Sequence, residues 1–224
     1  MRRRGSRLRN TAIPALTMSS TSVSSGWSPS QITNSGSTLE WTVSNGVTIA
    51  KTTINDPTFD LSGNSGTADI LVEEVDGLTV LNISELSLTA LDVSNNTALG
   101  ALICPSNTIS TLDVSNNTAL TSLNCRSNTI STLDVSTNTE LTSLYCYDNT
   151  ISTLDVSNNT ELIYLSCYGN NQAAAITDQI YIDLDANGKS NGYLEIRNNR
   201  TSASDGARAN LITKGWGIND NYTS

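Results

Sequence analysis

The stretch LGALICPSNTISTLDVSNNTA, residues 99–119, is followed without a break by LTSLNCRSNTISTLDVSTNTE, 120–140, and by LTSLYCYDNTISTLDVSNNTE, 141–161. Leu99, Leu102, Cys104, Asn107, Ile109, Leu112, Val114 and Asn117 thus recur as Leu120, Leu123, Cys125, Asn128, Ile130, Leu133, Val135 and Asn138. They recur again as Leu141, Leu144, Cys146, Asn149, Ile151, Leu154, Val156 and Asn159. A partial copy follows with Leu162, Leu165, Cys167 and Asn170, and a divergent one precedes with Leu78, Leu81, Ile83, Leu88, Leu91, Val93 and Asn96. Self-similarity held in register at a 21-residue period is the signature of a stacked-coil repeat protein.

Within one unit the half I-x-x-L-x-V-x-x-N echoes the half L-x-x-L-x-C-x-x-N, so the period is nested. Each half reads as a short extended segment with apolar side chains alternating inward. The asparagines fall where the chain must bend, and their side chains can bond neighbouring backbone groups. No single coil buries its apolar row; stacking does. Composition agrees: 37% of the residues are hydrophobic, with one Phe and two Met, enough for a thin row of aliphatics rather than a thick core.

This pattern resembles the leucine-rich repeats, and within them the nested 21-residue subtype sometimes called IRREKO. The resemblance covers about residues 78–171 and weakens on both flanks. It implies a leucine-rich-repeat parallel β-solenoid of bacterial or phage origin, exposed at a surface and used for binding.

Open solenoid ends expose edge strands and core, and so need covering. Residues 39–77 read as a β-rich N-terminal cap, with Leu39–Val43, Phe59–Leu61 and Ile70–Val72 as strands. Ile70 and Val72 precede Leu91 and Val93 by one period, so the cap is expected to merge into a degenerate first coil. Residues 172–224 read as an α/β leucine-rich C-terminal cap. It has a helix over 173–186 ending at Asn187-Gly188, a strand at Leu194-x-Ile196, a helix over 204–214 ending at Gly215, and a strand at Trp216-x-Ile218. That strand is placed 22 residues after the previous one. This terminal unit looks similar to those of phage fibre and spike-like proteins. Residues 1–38, rich in Ser, Thr and Arg, read either as a solvated tail or as an anchoring arm for an acidic partner, a capsid shell or nucleic acid.

Charge separates the arm from the body. Arg2, Arg3, Arg4, Arg7 and Arg9 precede the first acid, Glu40; after residue 9 there are 7 basic against 21 acidic residues, a net of −14. Such a body is a poor nucleic-acid binder. The arm carries no interleaved aromatic platform for bases. With no histidine in the chain, Ser-His-Asp and Cys-His sites cannot be built. No stretch is long and apolar enough to span a membrane. The basic N-terminus is followed by only the short, Pro-interrupted Ala12–Met18, a weak match to a secretory signal.

Comparing copies locates the candidate site. The second segment barely changes: Ser110-Thr111, Ser131-Thr132 and Ser152-Thr153 each precede Leu-Asp-Val-Ser. The outward positions of the first segment do change, from Ile103, Pro105 and Ser106, to Asn124, Arg126 and Ser127, to Tyr145, Tyr147 and Asp148, to Tyr164, Ser166, Tyr168 and Gly169. Repeats alike on one side and varied on the other suggest that the varied side recognises a partner; duplication followed by drift would leave the same trace. Arg126, Tyr145, Tyr147, Asp148, Tyr164 and Tyr168 are the candidate ligand-binding residues, since recognition surfaces are rich in Tyr and Arg. Aromatic platforms suit sugar rings or protein hot spots, but cross-strand stacking for stability is the plainer alternative.

Two further ladders carry alternatives. Cys104, Cys125, Cys146 and Cys167 lie at an inward position and lack the C-x-x-C spacing of zinc sites; they read as buried free thiols acting as small hydrophobes. Asp92, Asp113, Asp134 and Asp155 face outward on the second segment. They suggest either a calcium row or hydrogen bonding to nearby Ser and Thr, and the Gly-rich pattern of calcium solenoids is lacking. No catalytic residue, metal or cofactor is expected. The expected function is non-enzymatic recognition at a virion surface, as a phage spike, fibre or decoration protein that binds host-surface glycan or protein. Its arm would contact other virion proteins, and a homo-oligomer is compatible with the analogy. The alternatives are a secreted or cell-surface bacterial adhesin and a purely structural decoration.

Overall fold

The computed structural model describes residues 78–220 throughout and, between residues 15 and 73, the backbone of seven strands. These seven are β1 (Ala15–Ser20), β2 (Ser25–Trp27), β3 (Gln31–Asn34), β4 (Glu40–Ser44), β5 (Ile49–Thr52), β6 (Phe59–Asp60) and β7 (Ala68–Glu73). The five arginines before residue 10, and with them the proposed arm contacts, lie outside the described residues.

The solenoid begins with β8 (Leu78–Asn82) and β9 (Leu88–Asp92), the two segments of the divergent first copy. Later coils contribute one strand each: β10 (Ala101–Ile103), β11 (Ser122–Asn124), β12 (Ser143–Tyr145) and β13 (Tyr164–Ser166). Then come α1 (Ala174–Ala186), β14 (Tyr193–Glu195), a 3-10 turn over Ser202–Ser204, α2 (Asp205–Thr213) and β15 (Gly217–Asn219). From β8 to β15 the first-segment strands pair in parallel, one coil per strand: Leu81↔Leu102, Leu102↔Leu123, Leu123↔Leu144, Leu144↔Leu165, Leu165↔Leu194 and Leu194↔Ile218. The chain is therefore a leucine-rich-repeat parallel β-solenoid.

The core follows the repeat. The leucines at 99, 102, 120, 123, 141, 144, 162 and 165 are fully buried, as are Ile109, Ile130 and Ile151. Cys104, Cys125, Cys146 and Cys167 are buried free thiols. Burial pushes the thiols of Cys125 and Cys167 up to about 12 and raises those of Cys104 and Cys146 as well, so all four stay protonated and act as small apolar groups. The second segments are less regular than the repeat suggests. After β9 they form no continuous ladder and exchange isolated bonds, such as Thr129 N–H to the Ile109 carbonyl at 3.0 Å.

Asparagines close the turns. Asn128 donates its amide to the carbonyls of Cys104 and Cys125 at 3.0 and 3.1 Å, and its Oδ1 accepts from the Ile109 N–H at 3.0 Å. Asn107 repeats these bonds one coil before, and Asn149 and Asn170 one and two coils after. At the other turn Asn117 donates to the Val93 and Asn96 carbonyls at 2.9 and 2.8 Å. Asn138 and Asn159 do the same, and Asn187, at the end of α1, takes over the role.

Three sequence expectations are corrected. Strands β1–β3 lie inside residues 1–38, so described β structure starts at Ala15 rather than at residue 39. Ala15–Ser20 shows only Leu16 and Met18 in alternation, too little to stand out in a Ser/Thr-rich segment. Second, β7 is not a degenerate coil stacked on β9: β1 lies between them, antiparallel to both, with Met18 facing Ile70 on one side and Leu91 on the other. Third, Leu194 pairs with Ile218, a step of 24 residues rather than 22. Trp216 does not take the strand position. Its indole is buried, donates Nε1–H to the Lys189 carbonyl at 2.9 Å, and lies where a Cβ on Gly192 would come within 2.6 Å.

Replacing Asn117 by Ala removes the two bonds from its amide to the buried carbonyls of Val93 and Asn96, which keep only the backbone donors of their own turn, at a cost of about 0.5–1.5 kcal/mol per bond. We expect denaturant melts of the Asn117→Ala chain to show a loss of roughly 1–3 kcal/mol, whereas Asn116→Ala, at the exposed neighbour, changes little.

Candidate recognition face

The strand register sorts the varied side chains into rows along the solenoid axis. One row holds Ser122, Ser143, Tyr164 and Tyr193, and the next holds Asn124, Tyr145, Ser166 and Glu195. Two residues further on, the backbone continues in step, with Ser127 N–H bonding the Tyr147 carbonyl and Asp148 N–H bonding the Tyr168 carbonyl, both at 3.0 Å. The third row is therefore Arg126, Tyr147, Tyr168 and Arg197.

Rings one coil apart must meet. Tyr147 and Tyr168 stack with centroids 4.6 Å apart and planes 12° from parallel. Tyr145 stacks on Tyr164 at 4.6 Å and Tyr164 on Tyr193 at 5.2 Å. Guanidinium groups close both ends of the third row: Arg126 lies 5.6 Å from the Tyr147 ring centre and Arg197 lies 4.5 Å from that of Tyr168. Partial burial and the neighbouring rings push the phenols of Tyr164 and Tyr168 up, so both remain O–H donors at neutral pH. All six sequence-chosen residues thus lie on one face, and Asp148 is exposed with a left-handed backbone, φ 53°. Its carboxylate extends over Gly169, where a Cβ would come within 2.3 Å of Oδ1.

Sequence reasoning missed Tyr193, Glu195 and Arg197. Glu195 accepts from Ser166 Oγ at 3.0 Å and Asn219 Nδ2 at 3.1 Å, and pairs with Arg197. The signal was present: superposing Leu194 on Leu165 puts Tyr193 beside Tyr164 and Arg197 beside Tyr168. The 29-residue step across α1 hides that match from a search at the 21-residue period.

The opposite side is uniform. Asp92, Asp113, Asp134 and Asp155 each accept, at 2.9 Å, the backbone N–H two residues on, at Ser94, Ser115, Ser136 and Ser157. These bonds hold the carboxyls of Asp113, Asp134 and Asp155 below the ordinary value. A shallow groove runs beside them, lined by Leu91, Leu112, Leu133 and Leu154 with the repeated Asp and Thr side chains, and Ile176 and Gln179 of α1 line its far end. Among the described residues no three His, Cys, Asp or Glu side chains are grouped to hold a metal, and no helix is long and apolar enough to cross a membrane.

No protein-family model matches the chain, and no curated protein matches it. Among solved structures, it is similar to the functional domain of InlJ from Listeria monocytogenes, described as including a cysteine ladder. The identity is 34%, over 60% of this chain and 30% of that one, with a TM-score of 0.45. It is also similar to an internalin, inlF, from Listeria monocytogenes, with 26% identity over 59% of this chain and 37% of that one, and a TM-score of 0.49. The chain thus spans about a third of either neighbour's length. The fold assignment rests on the repeat and the strand register above.

The aspartate row predicts an acid response. A carboxyl whose folded value is depressed contributes stability above the unfolded value, about 3.9, and loses it as pH falls through the folded one. Buried Asp183 is shifted upward by burial and acts in the opposite sense in every variant. Asn at 113, 134 and 155 keeps the turn acceptor but cannot titrate. We expect the melting temperature of the parent chain to fall from about pH 5 to about pH 3, and the triple Asn variant to fall less. Equal slopes would show that these carboxyls do not contribute.

Proposed function

We propose that the protein is a non-enzymatic recognition protein that binds a surface partner through the tyrosine-rich sheet face. One observation carries the reading: the residues that vary between otherwise uniform coils form a single contiguous surface, with five tyrosines in stacked contact and two arginines at the ends of a row. Half-buried Tyr and partly exposed Arg on a rigid frame are the residue types that dominate binding energy at interfaces. The lack of histidine and the uniform row of Asp92, Asp113, Asp134 and Asp155 on the opposite side, with none singled out, support a binder over a hydrolase.

For the setting, we favour a virion spike, fibre or decoration protein that meets host-surface glycan or protein. The five arginines before residue 10 suit an anchoring contact with other virion proteins. A secreted bacterial adhesin is the second reading, which a cleaved N-terminus would favour, although Ala12–Met18 is only a weak match to a secretory signal.

Changing Tyr145, Tyr147 and Tyr168 together to Ala should reduce attachment to the host surface at least about tenfold, as expected for loss of interface anchors, with circular dichroism unchanged. Full attachment by a folded variant would leave only a structural role. The setting is tested by the intact mass of natively produced protein: full mass in particles supports the virion component, and a shortened mass in the envelope or medium supports the adhesin.

A further inference from the structure

Three of the five stacked tyrosines, Tyr147, Tyr164 and Tyr168, do not offer their ring faces. Each face of Tyr147 and Tyr168 along the axis is covered, by Arg126 and Tyr168 for the first and by Tyr147 and Arg197 for the second. Tyr164 is sandwiched between Tyr145 and Tyr193. A sugar ring that packs on an aromatic needs an open face; these rings present edges and phenol hydroxyls. Ring edges carry the positive end of the quadrupole and phenols donate hydrogen bonds, so the surface favours acceptor oxygens.

Arg126 stands out within it. Every other basic side chain among the described residues has a carboxylate within 4 Å: Lys189 with Glu161, Arg197 with Glu195, Arg200 with Asp205, Arg208 with Asp220 and Lys214 with Asp185. Arg126 has only the Tyr147 ring, although Asp148 sits on the adjacent coil, because that carboxylate extends over Gly169, toward the following coil. In a body of net charge −14 an unpaired guanidinium is unusual, and its planar fork matches a carboxylate.

We propose that Arg126 is the anion-binding anchor of this face, and that it takes a side-chain carboxylate from an extended polypeptide segment of the partner laid along Arg126, Tyr147 and Tyr168. Successive members of the row lie about 4.8 Å apart, so the three span some three residues of extended chain. Peptide carbonyls then meet the phenol hydroxyls and ring edges. Arg197 cannot serve as the anchor, since Glu195 already neutralises it. The inference rests on the reading that this face recognises a partner, and narrows that partner to protein.

The test uses the full chain and four probes: a capped pentapeptide with one central glutamate, the same peptide with glutamine, sialyllactose and lactose. Binding is followed by NMR at the Arg126 Nε–H and the tyrosine ring signals. We expect the glutamate peptide to shift both sets, to bind about fivefold better than its glutamine counterpart, and to weaken with salt. Arg126→Gln should abolish that preference, and Arg126→Lys should restore part of it. Equal binding of the two peptides, an Arg126→Gln chain that keeps the preference, or a response to either sugar but to neither peptide would overturn the inference. If host attachment still depends on the tyrosines in that case, the face remains the recognition site and only the anchor assignment falls.

Discussion

The amide of one asparagine reaching back to the coil before it is the contact on which the rest depends. A 21-residue coil turns twice, and each turn leaves backbone carbonyls and N–H groups facing inward with no strand to pair them. Buried polar groups left unpaired are costly, and backbone bonds within the turn satisfy only some of them. Asn107, Asn128, Asn149 and Asn170 satisfy one turn with both ends of the amide, bonding the preceding coil and their own. The second ladder is less complete: Asn117, Asn138 and Asn159 donate twice each, but their Oδ1 atoms find no donor. The two ladders fix the step between coils, and that step brings side chains of neighbouring coils within stacking distance.

With the frame fixed by inward residues and turns, outward positions of the strand segment carry no folding duty. The copies at residue 126 and its equivalents can be Pro105, Arg126, Tyr147 or Tyr168 without changing the backbone around them. The frame does impose geometry on what is placed there: identical rings on adjacent coils must stack, and a stacked ring presents its edge to a partner. The second segments show the converse. Their aspartates are tied to the turn through the serine N–H groups, which explains why they do not vary.

Much of this was legible in the repeat. The period fixed which residues point inward, that Cys104 to Cys167 would form a buried row, and that Tyr145, Tyr147, Tyr164 and Tyr168 would share a face. Legibility failed wherever the period breaks. Tyr193 and Arg197 belong to the same rows, but α1 lengthens their coil and removes the register that would have aligned them. Trp216 resembled a strand residue until its indole proved to pack against Gly192. Strand β1 was illegible for another reason: antiparallel pairing between β7 and β9 needs only short alternation, and six residues carry too little of it.

The one-sided stacking of coils also sets how the molecule answers a pull. Each coil contacts only its neighbours, so tension between the chain ends is borne by one interface at a time rather than by the whole core. Failure at the weakest interface frees a single coil, a length of roughly 70 Å of chain for 21 residues, before the next interface is loaded. Within the 21-residue coils such a frame yields in equal steps and dissipates work at each.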